Sequence, residues 1–113
     1  MIDSAVNNQA RFVRAQLQDD LVFDGYDQDA WVRVQRYAEQ PWPALVEAWR
    51  QANHRVAAIM RTAADRDLDR SRPRHNLHEI AFVPPASPEQ ATLGYFMHDY
   101  VAHLEHHLRQ IFG

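Results

Sequence analysis

Apolar positions recur at helical spacing in three long stretches of the chain and in one short one. Ile2, Val6, Val13 and Leu17 make the first series, flanked by Ala5 and Phe12, with Asp3, Asn7, Arg11 and Arg14 on the opposite side. The pattern predicts an amphipathic helix over residues 1 to about 19 with its apolar stripe toward the core. No capping residue precedes it and the period is already running at residue 2, so the expectation is of a segment that was longer upstream. Asp24-Gly25 marks a turn, after which Asp27 can cap a short helix over 28 to about 38, carrying Trp31, Val32, Val34, Gln35 and Tyr37. Pro41 and Pro43 bracket Trp42 and open the next element, because proline is tolerated in a first helical turn. Trp42, Leu45, Val46, Trp49, Ala52, Val56, Ile59 and Met60 keep a 3.6-residue period and predict helix to about residue 64. The alternating charges of 65–70 read as a solvated turn.

Residues 72–85 carry proline at three places and no sustained period, which predicts a loop with a short extended piece at 79–83. Ser87-Pro88-Glu89-Gln90 has the pattern of a helix start: serine as N-cap, proline at N1, glutamine to close a capping box. The last helix is therefore predicted over 88–111. Its core stripe is Met97, Val101, Leu104, Leu108 and Ile111, which fall within roughly 40° of one line at about 100° per residue. Three long helices and a short one predict an all-α bundle. With no internal repeat and no linker, it forms a single domain over 1–113. Trp31, Trp42, Trp49, Phe96 and Tyr100 read as core aromatics rather than a ligand box.

Composition narrows the chemistry. Apolar residues make up 46% and charged residues 24% of the 113, an ordinary globular balance. The net charge of −3 gives no global attraction to nucleic acid or an anionic membrane. All 12 basic residues are arginine, which excludes a lysine Schiff base and a phosphate-loop lysine. The absence of cysteine excludes disulfides, thiolate metal ligands and a cysteine nucleophile. No apolar run approaches the ~18–20 residues of a membrane span and no signal peptide opens the sequence. A cytoplasmic protein with neither nucleic acid nor membrane as partner is the expectation.

The chemistry that remains lies on the last helix, where His103, His106 and His107 stand within five residues. His103 and His107 stack one turn above the other on the shoulder of the apolar stripe, beside Phe96 and Tyr100. That spacing can offer two nitrogens to one metal ion, about 2.0–2.1 Å away for zinc. A neutral imidazole bordering an apolar face needs a hydrogen-bond partner or a metal. The plainer reading is an i,i+4 pair that only borders the core. His98 and His106 read as surface residues, and His75 and His78 as loop residues. Asp99 is expected to face away from the core. Glu105 sits about 200° from His103, so it cannot act as the base of a zinc-protease motif.

The last-helix run around His103 and His107 and the opening run Ile2–Arg14 together resemble the DinB/YfiT-like superfamily of four-helix bundles, which includes thiol-cofactor-dependent transferases and metal-dependent proteins. Asp99-Tyr-Val-Ala-His-Leu-Glu-His-His-Leu-Arg-Gln-Ile111 is similar to the family's last-helix His-x-x-x-His motif. Ile2-Asp-Ser-Ala-Val-Asn-Asn-Gln-Ala-Arg-Phe-Val-Arg14 is similar to its second helix just after the ligand histidine, in a run of the type His-Leu-Ile-Asp-Ser. The resemblance implies an up-and-down bundle lacking its first helix, with His103 and His107 as ligands of a divalent ion, zinc or nickel. The third family ligand would fall directly before Met1. Asp3, one helical turn on, is the substitute the resemblance offers. The implied activity is thiol transfer or hydrolysis on a small-molecule substrate. The missing helix implies an exposed apolar groove and hence a homodimer in which partner helices complete each bundle. The alternative is a non-catalytic bundle that dimerises and carries a degenerate metal site.

Overall fold

The computed structural model describes residues 1–113. Its six α-helices are α1 (Ile2–Arg14), α2 (Gln28–Gln35), α3 (Trp42–Thr62), α4 (Asp65–Asp69), α5 (Leu77–Ile80) and α6 (Leu93–Phe112), and no sheet is present. The all-α expectation holds, with α1, α3 and α6 as the long elements. Two of the short helices, α4 and α5, occupy segments whose sequence predicts turn and loop. In α4, Asp65 and Asp67 place negative charge at the helix start, and Leu68 packs on the core. A Cβ on Gly94 would meet the Leu68 carbonyl oxygen at 3.2 Å, so glycine there lets the start of α6 lie against α4.

The core forms where α1, α3 and α6 meet. Phe12 from α1 is fully buried and meets Phe96 and Tyr100 of α6 edge-on, at ring centroid distances of 5.4 and 5.8 Å. Leu21, Leu77, Leu93 and Val56 close the space around them. Tyr100 donates from its hydroxyl to Asn53 Oδ1, which ties α6 to α3. This core is small: 17 of 113 residues are buried. The accessible surface is 7507 Å², whereas a compact monomer of 13.2 kDa has about 6,400 Å². About 1,100 Å² is therefore exposed beyond what the mass requires.

Several helix faces depart from the polarity the sequence predicts. The stripe Ile2–Val6–Val13–Leu17 does not form the core. Val6, Val13 and Leu17 are 46%, 40% and 80% exposed, and Leu17 lies beyond the end of α1. The buried face is the flank that carries Asp3, Ala5, Asn8, Arg11, Phe12 and Ala15. Asp24, Tyr26, Gln35 and Tyr37 supply partners to its polar members Arg11 and Asp3. Arg11 Nη2 donates to the Asp24 carbonyl at 2.7 Å and the guanidinium lies over the Tyr26 ring. Burial pushes the Arg11 pKa down and that of Tyr26 up.

Asp27 caps α2 as its position predicts, accepting from the Ala30 N–H at 3.0 Å. The helix ends early at Arg36, whose φ of 53° is left-handed, and a 3-10 turn follows over Tyr37–Glu39. On α3 only Val56 of the expected stripe is buried, while Trp42 is 74% exposed. Trp31 and Val46 are exposed as well. The connection before α6 is tied down along its length. Leu21 and His75 form an isolated bridge. Asn76 then acts as a strand in miniature, donating from Nδ2 to the Phe23 carbonyl at 2.7 Å and accepting the Phe23 N–H at 3.0 Å. The extended contact thus falls at 75, not at 79–83, where α5 makes a helical turn through Ile80.

The start of the last helix is also displaced. Pro88–Gln90 is a separate 3-10 turn in which Ser87 makes no side-chain cap. Gln90 Oε1 accepts the Ala86 N–H at 2.8 Å instead of closing a capping box. Thr92 caps α6 by accepting the Tyr95 N–H at 3.0 Å. No helix is long and apolar enough to cross a membrane.

Candidate metal centre

With Thr92 as cap, α6 buries Leu93, Phe96, Met97 and Tyr100 and packs Leu104 partly against the same core. Val101 and Ile111 of the predicted stripe are exposed at 40% and 60%. The buried line therefore lies toward Phe96 and Tyr100, the flank on which His103 and His107 were expected. Both imidazoles are half-buried, and their Nε2 atoms approach to 2.9 Å. The structure brings the pair together.

That separation is a hydrogen bond, so one Nε2 carries a proton and the other does not. Gln110 Oε1 lies 3.0 Å from His107 Nδ1. With that oxygen accepting, His107 holds its proton on Nδ1 and presents a bare Nε2, to which His103 Nε2–H donates. Burial, and then the neighbouring His107, push the His103 pKa down, which favours the neutral form of that ring. Two imidazole nitrogens on one tetrahedral ion stand about 3.3 Å apart at zinc–nitrogen distances of 2.0–2.1 Å. A few tenths of an ångström of ring movement would suffice, so the pair fits as two adjacent ligands.

Beside the pair lies a hollow of about 10 Å³, lined by Met1, Ser4, Tyr100, His103, Leu104 and His107. It has room for one water-sized occupant. Asp3 does not line it. Asp3 is 7% exposed and its Oδ1 accepts from Gln35 Nε2 at 2.9 Å and from the Tyr37 hydroxyl. Burial, with the Asp3 hydrogen bond as second cause, pushes Tyr37 up to about 12. Nor does any group of three or more histidines, aspartates or glutamates come together elsewhere with room for an ion.

Other side chains near the pair left little trace in the sequence. Asp99 is buried, at 8% exposure, contrary to its expected outward position. It receives the N–H groups of Phe82 and Val83, each at 2.7 Å. Phe82 in turn stacks on the His103 ring, centroids 4.6 Å apart and planes within 6° of parallel. His106 is exposed as expected, yet tilts against the same phenyl ring at 5.1 Å. His98 faces solvent. His75 and His78 stand 6.0 Å apart on the connection, where His75 Nδ1 accepts the Leu77 N–H. No protein-family model, curated protein or solved structure matches the chain.

Proposed function

We propose that this chain is a DinB-like metal-binding bundle in which His103 and His107 supply two adjacent nitrogens to a divalent ion, zinc or nickel, for chemistry on a small molecule. The observation that carries the reading is the convergence of the two Nε2 atoms at 2.9 Å beside a hollow. A second observation supports it. Met1 and Ser4 border that hollow, so the stretch that resembles the family's second helix lies beside the pair. Asp3 is committed to Gln35 and Tyr37, which leaves two imidazoles as the donor set of this chain and coordination positions open to solvent or substrate. An ion held there would supply Lewis-acid activation of a thiol or a water. The chain's own part is to orient the two imidazoles and shield one side with Tyr100 and Leu104.

Metal content per chain tests this, measured by elemental analysis after incubation with zinc or nickel, beside a His103→Ala/His107→Ala double variant. The parent should hold close to one ion and the double variant none. Asp3→Asn should hold as much as the parent. A parent that retains no metal overturns the proposal.

The surplus surface favours a second feature of the same reading, a homodimer. About 1,100 Å² beyond a compact monomer's surface exceeds the roughly 800 Å² per partner of a standard interface. Val6, Val13 and Leu17 place exposed apolar groups along one side of α1 and its continuation. Sedimentation at micromolar concentration should give twice the chain mass, and Val6→Glu/Val13→Glu should return it to the chain mass. A parent that runs as a monomer removes this feature without touching the metal reading.

A further inference from the structure

We propose that residues 81–85 form a strap that sets the angle of the His103 ring, with Phe82 as the positioning side chain and Asp99 as its anchor. The inference deepens the metal-binding reading and takes His103 as a ligand from it. The geometry of the strap itself stands independently of any ion.

The anchor is a two-pronged grip. Asp99 Oδ2 accepts the Phe82 N–H and Oδ1 accepts the Val83 N–H, both at 2.7 Å. Two consecutive backbone donors on one buried carboxylate are charge-assisted bonds that hold a segment in one place. Tyr95, one turn earlier on α6, adds a third tie by donating from its hydroxyl to the Val83 carbonyl at 2.6 Å. Tyr95, Asp99 and His103 follow each other at four-residue intervals, so strap and imidazole are fixed to one side of one helix.

The phenyl ring does not serve the core. Phe82 is 40% exposed and lies outside the buried cluster. Its closest ring neighbour is His103, parallel to within 6° at 4.6 Å, and the second is His106. A flat ring laid on one face of an imidazole blocks rotation about the Cβ–Cγ bond, because turning the imidazole would drive its edge into the phenyl face. The Nε2 edge of His103 is thereby kept toward His107. Groups that orient a metal-bound histidine from outside the ligand set typically change affinity by 10–100-fold when removed. An aliphatic side chain would cover the helix equally well but would not define the ring plane.

The test compares the parent with Phe82→Leu, Phe82→Tyr and Asp99→Ala by proton NMR without metal, and by cobalt(II) titration followed by visible absorption. In the parent, His103 ring protons should be shifted upfield by the phenyl ring current and show cross-peaks to the His107 ring. Phe82→Leu and Asp99→Ala should lose both signatures and bind cobalt about 10-fold more weakly, while Phe82→Tyr keeps both. Retention of the His103–His107 cross-peaks and of parent affinity in Phe82→Leu overturns the strap. Absence of the upfield shift in the parent does so as well. If the parent binds no cobalt, the metal reading fails, and the metal-free cross-peaks alone decide whether the strap sets the ring. Amide dispersion in the same spectra reports whether Asp99→Ala is folded, and Phe82→Leu carries the test if it is not.

Discussion

Arg72 offers the sharpest test of how this small core is held. Its side chain is 3% exposed and lies under the end of α1. Nη1 donates to the carbonyls of Ala15 at 2.9 Å, Gln18 at 3.0 Å and Asp19 at 3.3 Å. Nη2 donates to the Asp67 carbonyl in α4 at 2.9 Å. Ala15 is the C-cap of α1, so its carbonyl has no partner within the helix, and a cation there also complements the helix dipole. Burial pushes the guanidinium pKa down, yet an arginine stays charged at neutral pH. Hydrogen bonds from a charged donor contribute about 1.5–3 kcal/mol each, and several on one group do not add. Counting one strong bond to the α1 end and one to α4 gives about 3 kcal/mol for Arg72→Met, which keeps the aliphatic stem and removes the fork. Against a total of about 5–15 kcal/mol for a domain, that is a large fraction. Urea unfolding reads it directly, as a midpoint lowered by about 2 M if m is near 1.5 kcal/mol per M. Arg72→Lys should fall between, because a single ammonium cannot span the α1 end and Asp67 together. A loss below about 0.5 kcal/mol in Arg72→Met, or a lysine variant equal to the parent, would refute the staple.

Two other perturbations follow from the same network of buried polar groups. Burial pushes Tyr100 up to about 12; the neutral phenol is the folded form, so its contribution is complete below the unfolded pKa near 10 and is lost as pH rises toward 12. By pH 11.5 that loss is about 2 kcal/mol, and Tyr100→Phe should flatten the difference between urea midpoints at pH 8 and 11.5, whereas an equal fall in both proteins would count against it. Asn76→Ala removes both side-chain bonds to the Phe23 backbone and should cost about 2 kcal/mol in the same assay, with Asn76→Asp, which keeps an acceptor and loses the donor, falling near it.

The period of the sequence located α1, α3 and α6 and the Asp27 cap, because these depend on residues within a turn or two of each other. It failed where a distant segment decided the outcome. Asp3 and Arg11 lie on the polar side of α1 by periodicity, and they are buried because residues 20–40 fold across that side with a carbonyl, Tyr26, Gln35 and Tyr37 to meet them. The apolar stripe then lost its claim on the core to Phe12 and Ala5, and one helix cannot bury both faces in so small a molecule. The Ser87–Gln90 signal was a local truth put to a different use. Its proline and glutamine do make a turn, and Thr92 starts the helix five residues on. Arg72 and Asn76 were invisible, since a single arginine and a single asparagine in a loop carry no period.

The candidate site divides along the same line. Burial of Phe96, Tyr100 and Leu104 fixes the azimuth of α6, and His103 and His107 take their place on its shoulder by counting residues. Four-residue spacing alone brings their Cβ atoms to about 5–6 Å and says nothing about where the nitrogens point. The meeting of the two Nε2 atoms depends on ring angles, and the groups that touch the two rings are Phe82 on His103 and Gln110 on His107. Gln110 is three residues away and follows from the helix. Phe82 arrives from 21 residues upstream, through a grip by Asp99 that looks like an ordinary surface acid until the connection folds back on it. Proximity of the pair is therefore a property of α6, while the ring laid on His103 comes from the connection that crosses it.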